Sequence, residues 1–420
     1  MEYKRIFKDG IHLLAGKMGV VALGIANLMI LSRILTTEEM GKYSLFLMIV
    51  NLAIVIGLDW SNSSVIRHGR EELVKRKKIN QSFWARMYIF IPVIIFFTTL
   101  FIIFSKQITT YIGVSRWVIT LVISLFIFNG ILDVICSIYQ STDRMKKSAY
   151  VFFSQKLFCV IFTLLLVFDV GKPKLTLVLI LINLSFLLSI IINLLRFDYK
   201  KILPYMFNKK YLKRIWSYSW PQLMGFPGLY LVNYIDLFVI KKYSTLSDVG
   251  IYNIAYNGFI NVATAIVIIQ TIFLPLIVEY RAKKKHDLIR SYAKKIPLFA
   301  TGWMAMAIVG MLLSPIVIPL IFSTKYVASI PSFNILLIAS IFYLVSICLL
   351  PLINAFDFII YSQAINLITA GINIIMDFIL VPRMGIVGAA YGTTIAYFIR
   401  MILSIILVII KKKKMFLELS

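Results

Sequence analysis

Acidic residues are scarce in this chain. Asp and Glu number 18 against 44 Lys and Arg, and charged residues together fill only 15% of the 420 positions. A soluble domain of this length carries roughly a quarter charged residues and alternates apolar with polar stretches. Here 60% of residues are hydrophobic, in runs that recur from end to end. A protein core cannot absorb that many, so the solvent for these runs is lipid. Cysteine and histidine are as thin, three of each. Cys136, Cys159 and Cys348 lie inside apolar runs without C-x-x-C spacing, which excludes a thiol metal or redox site and leaves them as small apolar filler. No P-loop G-x-x-x-x-G-K-[ST] occurs, so direct use of ATP is not expected; neither is a cofactor or a bound metal.

The excess of positive charge, +26 overall, would in a soluble protein raise the question of nucleic acid. Its placement excludes that partner. The basic residues sit in short clusters between apolar runs, as in segments held against an anionic membrane leaflet.

A helix needs roughly 20 residues to cross the hydrocarbon, and only helices or closed barrels satisfy their backbone there. The runs predict twelve spans, at 11–34, 43–66, 83–104, 117–140, 150–168, 175–195, 217–240, 250–278, 297–322, 332–354, 362–380 and 387–410. The first carries Lys17 and no small-residue cleavage site, and so reads as a retained span. The N-terminal tail, the alternate loops 67–82, 141–149, 196–216, 279–296 and 355–361, and the C-terminal tail hold thirty of the Lys and Arg, against nine in the other loops. That asymmetry predicts both termini in the cytoplasm. The basic, aromatic segment near 196–216 suits either the cytoplasmic membrane interface or a plain linker between halves.

The chain repeats itself weakly. A shift of 209 residues lays the first two spans on the seventh and eighth without a gap and pairs Gly16 with Gly225, Gly19 with Gly228, Gly41 with Gly250 and Tyr43 with Tyr252. Leu14/Leu223, Leu28/Leu237 and Thr36/Thr245 also match. Six spans per repeat is an even number, so both halves insert the same way. The expected architecture is an all-α polytopic membrane protein: an N-terminal six-helix lobe over 1–200, a cytoplasmic interfacial linker over 201–216, a C-terminal six-helix lobe over 217–410 and a basic tail over 411–420, the two lobes pseudo-symmetric about a cleft. Gly16, Gly19, Gly225, Pro227 and Gly228 are candidates for a gate or bend, with Pro221 adding a second break in span 7; tight packing alone also accounts for the glycines.

The stretch Arg33-Ile-Leu-Thr-Thr-Glu-Glu-Met-Gly41-Lys-Tyr43, followed by Gly57-Leu58 and Arg67, resembles the R-x-L-x-x-x-E-x-G-x-Y…G-L…R opening of the polysaccharide-biosynthesis (Wzx-type) transporters. Pro382-Arg-Met-Gly385-Ile-Val-Gly388-Ala389-Ala390 is similar to their P-x-x-G-x-x-G-A-A turn into the last span. The resemblance covers the chain in span number and halves, and it places the protein in the multidrug/oligosaccharidyl-lipid/polysaccharide (MOP) exporter superfamily with a MATE-like fold. It implies a flippase of the bacterial inner membrane. The cargo would be an undecaprenyl-diphosphate-linked oligosaccharide, an O-antigen or capsular repeat unit, moved by alternating access. Membrane lipids would be partners, and so would a polysaccharide polymerase and chain-length proteins. The alternative within the superfamily is a cation-coupled antiporter of drugs or organic cations. A membrane glycosyltransferase or polymerase fits less well, because the outer loops are only about 6 to 12 residues long and His12, His68 and His286 fall on the cytoplasmic side. No enzyme activity is expected.

Charge inside the membrane costs on the order of 3 kcal/mol per group on insertion scales. Arg400 falls near the middle of its span and reads as cleft-facing or as half of a structural ion pair. Lys17 lies beside the glycine pair; Arg86 and Lys156 lie nearer span ends, where long basic stems snorkel. Together these four form a candidate cationic vestibule for an anionic headgroup. Three polar stripes run along single helix faces. They are Asn253, Asn257 and Asn261; Gln363, Asn366, Thr369, Asn373 and Asp377; and Asn129, Asp133, Ser137 and Gln140. Such stripes line a watery cleft or tie helices together. Asp236, Asp133, Asp59 and Asp377 are the candidates for ion coupling, with Asp236 and Asp133 foremost and Asp377 expected to be solvated near an outer end.

Overall fold

Long apolar runs with no hydrogen-bonding solvent can only close their backbone internally, and the computed structural model resolves them as helices. It describes residues 2–142, 144–167, 175–220, 222–283, 285–356 and 358–416, without certain side chains inside helices, chiefly those of 2–17, 222–229, 231–233 and 412–416. Fifteen α-helices follow in order. The first nine are α1 (Glu2–Ile34), α2 (Thr37–Gly57), α3 (Asn62–Arg76), α4 (Asn80–Ile103), α5 (Ser105–Ile112), α6 (Ile119–Ser141), α7 (Met145–Leu165), α8 (Leu175–Leu195) and α9 (Lys209–Ser219). The remaining six are α10 (Gln222–Tyr243), α11 (Leu246–Ala282), α12 (His286–Phe322), α13 (Ile330–Ala355), α14 (Ile359–Met384) and α15 (Ile386–Phe416).

Among the described residues nine helical segments are long and apolar enough to cross a membrane, and the segment Thr37–Arg76 counts α2 and α3 together. α1, α10 and α11, whose side chains are described only in part, bring the long helices to twelve. The chain is an all-α polytopic membrane protein. α4 and α12 are the barest, with Ile91, Ile95, Phe96, Leu312, Ile316 and Leu320 fully outward, which only a lipid surround makes favourable.

Several expected loops are largely helical, among them 105–116, which α5 occupies from Ser105 to Ile112. The segment 67–82 is occupied by α3 as far as Arg76, and 279–296 is the end of α11 and the start of α12. Hydropathy marks where the apolar run stops, but a helix continues past that point as long as its backbone bonds continue. In α3 the charged residues sit on the extension, where i,i+4 contacts such as Arg67–Glu71 support it.

By internal contacts the chain divides into two compact units, Met1–Pro227 and Gly228–Ser420. In unit 1, α1 packs along α7, and α6 packs against α3, α7 and α8. α9 lies on α3 and α4. There Ile215 is enclosed with Trp60, Ala85 and Ile89, and Arg214 pairs with Glu71 at 2.6 Å. In unit 2, α15 packs between α13 and α14, and α13 also carries α11 and α12.

The repeat has a local structural meaning. Thr36 accepts from the Glu39 amide at 3.2 Å while the Glu39 carboxylate accepts from the Thr36 amide at 3.0 Å. Thr245 and Asp248 do the same at the start of α11, both at 3.1 Å. Each is a capping box, which satisfies two of the four orphan amides of a helix start. Thus the Glu of the opening motif is a cap, and Leu35, Gly41 and Tyr43 around it are buried. Thr245→Ala is expected to cost about 1 kcal/mol of stability. Thermal melting in detergent measures that loss, and an unchanged melting point would deny the cap its role.

The second motif is a tight turn. Gly385, at φ +58°, ends α14 in the left-handed region. At Gly388 a Cβ would stand 2.5 Å from the Leu380 carbonyl oxygen, so only glycine lets α15 start this close to α14. Gly19 likewise permits close approach, since a Cβ there would meet Phe153 of α7 at 3.0 Å.

Candidate functional site

Unit 2 contains a pair of buried carboxyls that form no ion pair with a base among the described residues. Asp236, on α10, is 1% exposed, and Asp377, on α14, is fully enclosed. Asp377 is therefore not a solvated outer residue. The turn that follows it, through Pro382 and Gly385, folds α15 back along α14 and covers it. Gly392 of α15 lies directly against the Asp377 carboxylate, where any Cβ would collide with it.

The Asp236 carboxylate accepts from Thr393 Oγ1 at 2.8 Å and from the Tyr252 hydroxyl, and it interacts with Asp377 and Asn373. Asn373 Nδ2 donates to Thr393 Oγ1 at 3.4 Å. Both Asp377 carboxylate oxygens, Asp236 Oδ1 and Asn373 Oδ1 are buried without a hydrogen-bond donor. Among the described residues no Lys, Arg or His forms an ion pair with either acid. Four orphaned acceptor oxygens in lipid-spanning helices carry a large desolvation cost unless a proton or a cation joins them.

Arg400 presents the opposite case. It is 6% exposed, on α15, and no carboxylate among the described residues pairs with it. Its guanidinium carbon lies 5.5 Å from the centre of the Tyr343 ring and 6.0 Å from that of Tyr397. It lines a cavity of about 500 Å³ with Gln270, Tyr343, Asn354, Ser362, Gln363 and Asn366, together with the apolar side chains of Val267, Leu274 and Ile347. Rings below a guanidinium and amides around it form a surface suited to an anion that carries hydroxyls.

A chain of rings joins these two places. Tyr252 stacks on Tyr256 with centroids 6.0 Å apart, Tyr256 meets Phe259 at 5.8 Å, and Phe259 meets Tyr397 at 5.7 Å. Thr393, Tyr397 and Arg400 follow at i, i+4 and i+7, one face of α15. One rigid helix thus holds a donor to the acid pair and the cation of the cavity.

The polar stripe of α14 divides between these places. Gln363 and Asn366 line the cavity, whereas Asn373 and Asp377 belong to the acid pair, so Asn373 does not reach the cavity as a substrate contact. Asn253, Asn257 and Asn261 form a ladder within α11. Asn257 Nδ2 bonds the Asn253 carbonyl and side-chain oxygens at 2.8 and 2.9 Å, and Asn261 Nδ2 bonds the Asn257 carbonyl at 2.8 Å.

In unit 1, Arg86 is enclosed, with its Nε and Nη1 buried without a hydrogen-bond partner. It is 1% exposed, and its Nη2 donates to the Leu58 carbonyl at 3.1 Å and to Asn62 Oδ1 at 2.9 Å. Asp133 and Asp59 both act on it electrostatically. Lys156 is half-buried on α7, one turn from Cys159. The side chains of Lys17, Gly16, Gly225, Pro227 and Gly228, and the whole of Pro221, lie outside the described residues.

Thr393, Tyr252, Tyr343 and Tyr397 were not among the site residues expected from sequence. Tyr252 carried a signal, as one of the seven positions repeated at a shift of 209. The others sit in apolar runs where nothing marks them.

Comparison with known proteins adds the following. The family described as "Polysaccharide biosynthesis protein" matches residues 6–281. An uncharacterized membrane protein of Methanocaldococcus jannaschii is 23% identical over 278 residues, 64% of this chain. The chain spans about half the length of that curated relative, 52%. Among solved structures, the lipid II flippase MurJ in an inward closed conformation is similar with a TM-score of 0.77 and 16% identity, over 98% of this chain and 90% of that one. An inward-facing multidrug resistance MATE family transporter of the MOP superfamily gives 0.76 and 14%, over 96% and 98%. At these identities the likeness shows the fold alone, the one these two structures share.

Proposed function

The chain belongs to the polysaccharide biosynthesis protein family, and from that membership we propose that it is a flippase for a lipid-linked oligosaccharide. The cargo is an undecaprenyl-diphosphate-linked O-antigen or capsular repeat unit, passed from the cytoplasmic to the periplasmic leaflet of a bacterial inner membrane. Both termini are cytoplasmic, and the halves 1–200 and 217–410 alternate access to the cargo. A polymerase and chain-length proteins then take up the delivered units.

The observation that carries this reading is Arg400: a buried guanidinium with no carboxylate partner among the described residues, lining a cavity of about 500 Å³ with amides and Tyr343. A diphosphate supplies the missing negative charge through charge-assisted hydrogen bonds. Sugar hydroxyls fit Gln270, Asn354, Gln363 and Asn366, and the polyprenyl tail stays in lipid. A fold neighbour that is itself a lipid II flippase supports a lipid-linked cargo. An organic cation would meet the wrong sign at Arg400, which disfavours the drug antiporter.

Energy for the movement comes from a cation or proton at Asp236 and Asp377. Of the four candidate carboxylates, Asp59 and Asp133 already have Arg86 beside them, whereas Asp236 and Asp377 have each other and form no ion pair with a base among the described residues. The chain transforms no covalent bond in this scheme.

Deletion of the gene followed by extraction of polyprenyl lipids tests the reading. Undecaprenyl-linked glycan should accumulate on the cytoplasmic side and surface polysaccharide should disappear. Normal surface polysaccharide with no such lipid would refute it.

A further inference from the structure

The two units share a repeat but differ at one buried position. A shift of 209 lays the end of α1, Ile34, on the end of α10, Tyr243, and the start of α2 on the start of α11. The same shift carries Asn27 onto Asp236. Asn27 is 6% exposed, and its Oδ1 accepts from Thr163 Oγ1 at 3.0 Å and from Cys159 Sγ at 3.5 Å. A shift of 214 lays the first residue of α7 on the first residue of α14, and it carries Cys159 onto Asn373 and Thr163 onto Asp377.

Each unit therefore builds the same motif. One polar residue on the first long helix of the repeat meets an i, i+4 pair on the fifth. In unit 2 the three are Asp236, Asn373 and Asp377, two of them acids, with four oxygens lacking a donor. In unit 1 they are a carboxamide, a thiol and a hydroxyl, and the Asn27 oxygen is satisfied by the other two. An ion entering there would find no negative charge to offset its dehydration and a soft sulfur where a hard cation prefers oxygen.

We infer that unit 1 retains a silent counterpart of the cation site, closed by Asn27, Cys159 and Thr163, and that the chain holds one coupling cation, in unit 2 alone. This rests on the reading of Asp236 and Asp377 as the coupling site. The lost charge sets the cation stoichiometry of transport.

The test is equilibrium binding of radioactive sodium ion to the purified full chain in detergent. Wild-type protein should bind one sodium per chain and D236N/D377N none. Adding N27D/C159N/T163D to D236N/D377N should restore one, and adding it to wild type should give two. Cooperative melting of each variant shows that it is folded, and the milder N27D/T163D replaces the triple variant if that one does not insert. Two sodium ions on wild type, none on wild type, or a folded N-terminal variant that gains none would overturn the inference. Retention of sodium by D236N/D377N would instead overturn the reading of the acid pair on which it rests.

Discussion

Arg400→Ala is expected to abolish surface polysaccharide while the protein reaches the membrane at normal or higher levels. The two effects have opposite signs because Arg400 has no carboxylate among the described residues to balance it. Removing it relieves an insertion cost on the order of 3 kcal/mol, so the helix should insert at least as well. Cargo loses charge-assisted hydrogen bonds worth about 3 kcal/mol together, roughly a hundredfold in affinity. Arg400→Lys keeps the charge but not the flat fork that sits over Tyr343 and Tyr397, and should retain a fraction of transport. Quantitative blotting beside polysaccharide gels reads both quantities. Wild-type polysaccharide in the Ala variant would remove Arg400 from the transport pathway. Loss of the protein itself would make the residue a structural one.

The spans were legible in the sequence because they rest on composition over many residues, and the bilayer makes composition decisive. Helix ends were less so. α3 and the first turns of α12 continue through charged stretches, since leaving the apolar zone does not end a hydrogen-bonded ladder. The interior charges divided according to what faced them, which no single-chain pattern records. Arg86, near a span end, and Arg400, near the middle of one, both read as candidate cations of one vestibule. Arg86 meets Asn62 and the Leu58 carbonyl, and Arg400 meets a cavity. Asp377 was misplaced for a related reason. Distance along its helix put it near an end, but the turn at Gly385 brings α15 back over it, and Gly392 is the residue that makes room.

Coupling requires that occupation of one place alter the other, and coupling is carried by elements with two arrangements that both sites bias. α15 meets the geometric part of that requirement. Thr393 touches the acid pair, Arg400 the cavity, and Tyr397 lies between them in contact with Phe259 and Tyr343. A cation drawn to Asp236 and Asp377 competes with Thr393 for the same carboxylate, so its arrival acts on the helix that carries Arg400.

Asp236→Asn with Asp377→Asn is accordingly expected to uncouple transport without unfolding the protein. Two adjacent carboxyls in lipid-spanning helices are a source of repulsion, and their amides fill nearly the same volume and can still bond Thr393 and Tyr252. The melting point should therefore hold or rise. In proteoliposomes, accumulation of cargo under an imposed sodium or proton gradient should fall by about a hundredfold, the scale set by losing the charge-assisted contacts of a cation, about 3 kcal/mol. A second signature comes from competition. A proton and a sodium ion seek the same oxygens, so in wild-type protein sodium should bind more weakly as pH falls, and the double variant should show neither sodium binding nor that dependence. A variant that still concentrates cargo under the gradient would take the acid pair out of the mechanism and return the search to Asp59, Asp133 and Arg86.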